Sequence, residues 1–244
     1  MLKIWDANNF RRTLAGLCLI TAPLALGTAD LIRISVEGDA QGTRDQFNHI
    51  AASPGAWQVA TVLNMLGIVL FVPAVLGLLH LLHHRGAVLG HIGGGLLLIG
   101  LLGYAAHNAG YYGTLGAVSA PGIDQEQMIR FWQAAETVPG NLVWLLMFLI
   151  GIVLGMVLLG VGLFWARVVP RWTGALIVLY VVGLLFAEGS LLIALISWML
   201  LFVGLGTVGF MLLRQSDADW AKHGSLGEEG SVTQPESLTV RQQG

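Results

Sequence analysis

Apolar residues in this chain come in long runs broken by short polar stretches. The pattern shows neither the period of two of half-buried strands nor the narrow apolar stripe of soluble helices. A helix that crosses the roughly 30 Å hydrocarbon core needs about 20 such residues, each rising about 1.5 Å. Residues 13–32, 57–79, 87–112 and 142–166 each reach that length with at most one charged side chain. The next run, residues 172–213, would be about 63 Å long as a single helix, twice the membrane thickness. Its one polar, helix-breaking interruption is Glu188-Gly189-Ser190, which predicts a tight hairpin between a fifth span at 172–187 and a sixth at 191–213. The predicted fold is all-α, a transmembrane domain of six helices over residues 13–214.

The connections are unequal. Residues 35–56 and 113–141 are long enough to carry structure of their own, and both hold helix signals. Asp124 stands three residues before Gln127, a capping arrangement, and Met128, Phe131, Trp132, Ala135 and Val138 recur at helical spacing. In the earlier connection Thr43 and Gln46 form a similar pair ahead of Phe47, Ile50 and Ala51, with Pro54-Gly55 as the stop. Two short amphipathic helices lying on the membrane surface are expected. Residues 215–244 are polar and rich in Gly, Ser, Gln and Glu, with little to bury, and read as a disordered tail.

Charge adds orientation. With the spans alternating in direction, Lys3, Arg11, Arg12, Arg85, Arg167, Arg171, Arg214, Lys222 and Arg241 fall on one side, and only Arg33, Arg44 and Arg130 on the other. Basic residues in short loops are retained in the cytoplasm. Both termini are therefore expected inside, residues 1–12 included, and the two amphipathic helices outside. Composition removes other classes. The chain is 55% hydrophobic and 11% charged, against about 25% charged in soluble domains. A net charge of -2 and no Lys/Arg run longer than Arg11-Arg12 argue against nucleic-acid binding. The single cysteine, Cys18, excludes an intramolecular disulfide, CxxC redox chemistry and a thiolate zinc site.

Ionisable groups at membrane depth are costly, so each needs a partner, water or a purpose. Asp30, Asn64, His107 and Glu188 all fall in the outer half of the predicted bundle. Tyr104, His107 and Tyr111 are three and four residues apart, which aligns them on one helix face with Asn108 beside them. One reading is an outward-facing polar cavity that binds a ligand, passes protons or holds a metal. The other leaves Asp30 and Glu188 in headgroup water, with His107 and Asn64 hydrogen-bonding between helices. A second group, His80, His83, His84 and His91, surrounds the turn between the second and third spans. His80, His84 and His91 have spacing suited to a divalent metal, whereas a row of interfacial histidines beside Arg85 is the simpler account. No Glu lies between His80 and His84, so the zincin motif is absent. No phosphate-binding loop or GxSxG motif occurs, and the last three spans hold no histidine for bis-histidine haem. No cofactor is implied.

The stretches IAASPGAW, HHRGAVLGHIGG and FWARVVPRWTG resemble a broad family of uncharacterised multi-pass membrane proteins of high-GC Gram-positive bacteria. The resemblance implies six helices and a bacterial plasma membrane, and carries no activity with it. Three functions compete. A ligand-binding, sensory or accessory component would recognise a small or lipidic ligand in the cavity. A membrane-embedded enzyme would use the carboxylates as acid and base on a lipidic or isoprenoid substrate. A small-molecule transporter would need polar groups near the midplane, where the fourth and sixth spans offer little beyond Ser197 and Thr207. Convergence of Asp30 and Glu188 on one enclosed cavity separates the first two readings.

Overall fold

Every apolar run folds as a helix, because a chain without water satisfies its backbone polar groups only within itself. In the computed structural model, residues 7–83, 87–118, 120, 122–187, 190–216 and 220 are described. Among them are eight helices and no strand: α1 (Ala7–Glu37), α2 (Thr43–Ala52), α3 (Pro54–Leu81), α4 (Ala87–Ala117), α5 (Gln125–Glu136), α6 (Pro139–Ala166), α7 (Arg171–Phe186) and α8 (Leu191–Arg214). Five of these, α1, α3, α4, α6 and α8, are long and apolar enough to cross a membrane, as a multi-pass membrane protein requires. The apolar α7 is shorter, at 16 residues.

The six apolar helices pack in a closed ring in the order α1, α3, α4, α6, α7, α8 and back to α1. Successive members run in opposite directions, so the ring has two poles. One carries α2, α5 and the ends of α1 and α4. The other carries the turns from α3 to α4 and from α6 to α7. Among the described residues every Asp and Glu lies toward the α2/α5 pole, while Arg11, Arg12, Arg167, Arg171 and Arg214 lie at the opposite one.

Glycine sets the closest contacts. A Cβ on Gly100 of α4 would sit 2.5 Å from the backbone nitrogen of Ile152 on α6, and one on Gly151 would sit 2.5 Å from the Gly100 Cα. The two backbones touch there, a separation that any side chain would prevent. Gly160 and Gly174 bring α6 against α7 in the same way, with a Gly174 Cβ only 2.4 Å from the Gly160 carbonyl oxygen.

Several boundaries differ from the sequence expectation. α1 runs five residues past 32, to Glu37, and α4 runs five past 112, to Ala117. Tyr111 and Gln46 hold Glu37 at the end of α1, and Trp57 donates to the Tyr112 carbonyl of α4 at 3.1 Å. Pro54 does not simply end α2, because it is the first residue of α3, where its missing N–H costs nothing. The expected Thr43 and Gln46 capping pair does not form. Gly42 precedes α2 at a positive φ of 91°, without a side-chain cap, and the Gln46 side chain turns to other partners. Asp124 does cap α5, accepting from the backbone N–H groups of Glu126 and Gln127 at 2.9 and 3.4 Å. α5 packs through Met128, Ile129 and Trp132, leaving Phe131 exposed, and Val138 lies beyond it, exposed at the start of α6. α7 and α8 are separate helices packed on each other, and Ser190 caps α8 through the Ile193 N–H. Glu188 and Gly189 lie outside the described residues, as does the expected disordered tail apart from residues 215, 216 and 220. Trp220 is buried, its ring centroid 4.0 Å from that of His80.

Candidate functional site

Spacings of three and four residues put Asp30, Arg33 and Glu37 on one face of α1. Arg33 donates from Nε and Nη2 to Asp30 Oδ1 at 3.0 and 2.8 Å, and from Nη1 to Glu37 Oε2 at 2.6 Å. Trp198 of α8 donates from Nε1 to the other Asp30 oxygen at 2.9 Å. The Tyr111 hydroxyl of α4 donates to Glu37 Oε1. Gln46 of α2 donates to the same Glu37 oxygen at 3.2 Å and to the Tyr111 hydroxyl at 2.9 Å. One network thus ties four helices together at the α2/α5 pole, with one guanidinium between two carboxylates.

A second network joins α3 to α4. Asn64, 1% exposed, donates to the Tyr104 hydroxyl at 2.9 Å and accepts from Asn108 Nδ2 at 3.0 Å. A buried amide needs such partners, since leaving one unpaired costs about 1–3 kcal/mol. His107 makes ring contacts instead. It stacks on Phe148 of α6 at 6.1 Å and on Tyr111 at 6.3 Å between ring centroids, with planes inclined by 14° and 23°. It has no hydrogen-bond partner among the described residues.

Between these networks the ring of helices encloses a cavity of about 560 Å³ to which all six apolar helices contribute. That volume falls within the roughly 300–1,000 Å³ of small-ligand sites. Asp30, Tyr104, His107, Asn108 and Tyr111 line it. Asn64 is not among the lining residues and stands behind Tyr104 and Asn108. Glu188 lies outside the described residues, so its convergence with Asp30 is not described. The lining also includes Arg33, Tyr112, Tyr180 and Trp198, which sequence reasoning did not select. Arg33 and Glu37 carried a signal, their spacing from Asp30. Tyr180 and Trp198 carried none, since an aromatic within an apolar run reads as ordinary packing.

Among the described residues, the histidines around the turn from α3 to α4 do not converge on one point. His80 faces Trp220, its Nε2 3.3 Å from the Trp220 carbonyl oxygen, while His91 Nδ1 lies 2.6 Å from the carbonyl of Ala87. His83 and His91 have ring centroids 5.9 Å apart. His84 is outside the described residues. Among the described residues no three His, Cys, Asp or Glu side chains group as a metal site.

Comparison with protein-family models, with curated proteins and with solved structures finds no match to this chain.

Proposed function

We propose that the protein crosses a bacterial plasma membrane six times, with both termini in the cytoplasm, and binds a small or lipidic ligand as a sensory or accessory component. The cavity carries this reading. It is central and walled by six helices, with an apolar floor and polar groups toward the α2/α5 pole. The excess of arginine at the opposite pole supports placing the cavity in the outer half of the bilayer. The short α7, about 24 Å long, is the sixth crossing in this reading, since short spans are accommodated by local thinning of the bilayer.

Enzymatic acid/base chemistry is less well supported. A carboxylate that moves protons needs an oxygen open to its substrate, whereas Asp30 gives one oxygen to Arg33 and the other to Trp198. Native mass spectrometry of the protein released from its own membrane tests the binding reading. A retained small molecule is expected, and it should be lost or depleted in His107→Ala while the variant stays folded. A wild-type protein that carries no added mass, or a mass indifferent to His107, contradicts the reading.

A further inference from the structure

The charged groups of the cavity satisfy one another. Both Asp30 oxygens, both Glu37 oxygens and the Arg33 guanidinium are engaged. What remains open is neutral. Tyr112 and Tyr180 are 3% and 4% exposed, both line the cavity, and neither hydroxyl has a hydrogen-bond partner among the described residues. With the His107 ring they offer hydrogen-bonding capacity that opens into the cavity. A carbonyl or hydroxyl oxygen would answer a phenol donor. An anionic head would meet the net negative charge of one arginine between two carboxylates, and a cationic head would have to displace Arg33. Below these groups the wall is hydrocarbon, with Leu26, Phe71, Leu97, Leu101, Met156 and Leu201.

The wall has a gap on one side. α6 and α7 touch most closely at Gly160 and Gly174, near the basic pole. Toward the α2/α5 pole, Leu149 of α6 and Leu185 of α7 both line the cavity and are still 46% and 57% exposed. Cavity-lining residues with that much accessible surface are where the wall would open, with an apolar rim. In the bilayer reading that opening meets acyl chains, not water.

We propose that the cavity takes an uncharged amphiphile, with an oxygen-bearing head against Tyr112, Tyr180 and His107 and a hydrocarbon tail over the leucine floor, admitted from the bilayer between α6 and α7. This deepens the ligand-binding role proposed above and depends on it. The test uses the full chain in phosphatidylcholine nanodiscs, a monoacylglycerol with a photoreactive diazirine in its acyl chain, and peptide mapping of the label. Label is expected on the rim at Leu149 or Leu185 and on the floor at Leu101 or Leu201. Unlabelled monoacylglycerol should compete at least about tenfold better than an alkyl phosphate or alkyltrimethylammonium of equal chain length, a difference of about 1.4 kcal/mol. Tyr180→Phe should weaken that competition several-fold and leave the unliganded melting temperature unchanged. Label confined to outward residues such as Val62 and Val69, or equal competition by the charged analogues, overturns the proposal. If native mass spectrometry then finds a His107-dependent, water-soluble molecule, the amphiphile falls and ligand binding stands. If it finds nothing bound, both fall.

Discussion

Arg33 holds the network at the α2/α5 pole together, because it faces Asp30 and Glu37 at once while only 29% of its side chain is exposed. Removing it leaves two partly buried carboxylates close together without compensation, a larger loss than the pairing itself is worth. Arg33→Met is therefore expected to lower stability by about 2 kcal/mol, the partial exposure keeping it below the roughly 3–5 kcal/mol of fully buried pairs. The triple change Asp30→Asn, Arg33→Met and Glu37→Gln should recover much of that loss. Thermal unfolding of both variants in nanodiscs checks the order, and a triple variant weaker than Arg33→Met would refute it. At this scale the sequence was legible where residues were out of place. Asp30 and His107 stand out because ionisable groups are rare in apolar runs, and both line the cavity. Arg33 and Glu37 escaped because hydropathy ends a span at its first charges, although a helix continues wherever those charges find partners.

At the level of elements, the contact of α4 with α6 depends on glycine. Gly151→Ala would place a methyl group 2.5 Å from the Gly100 Cα and is expected to cost about 1–3 kcal/mol. Gly110→Ala on α4, where a Cβ meets nothing within 4 Å, should stay within about 0.5 kcal/mol of wild type. Similar melting temperatures for the two variants would remove the close-packing account. The cap of α5 gives a separate test. Asp124→Ala withdraws the acceptor for two backbone N–H groups and should cost about 1 kcal/mol, visible as faster hydrogen exchange across residues 125–136 with the rest unchanged. The Asp124 cap was readable because a helix start is a local event. The Thr43 and Gln46 pair was misleading because Gln46 is drawn to Glu37 and Tyr111 by tertiary structure. On α5, Met128 and Trp132 pack against the bundle while Phe131 is exposed, and Val138 falls beyond the helix, just before α6.

For the whole molecule, run length and helix breaks were enough to anticipate an all-helical chain and the division of the 172–213 stretch. The order of helices around the ring was not, because apolar helices with little amphipathic contrast show no preferred face in sequence, and their neighbours are chosen by glycine contacts. The cavity follows from that order, so its existence was legible only as a cluster of polar residues at one depth. Everything proposed for it depends on which way the ring sits in the membrane and on α7 making a full crossing. Cysteine labelling with a membrane-impermeant maleimide, in intact cells and a Cys18→Ala background, addresses both directly. Ala51→Cys near the end of α2, Gln133→Cys on α5 and Ser190→Cys between α7 and α8 are expected to label from outside, while His83→Cys labels only after the cells are opened. Labelling of His83→Cys from outside with protection at Ala51→Cys and Gln133→Cys would invert the protein, and protection of Ser190→Cys alongside His83→Cys would remove the sixth crossing.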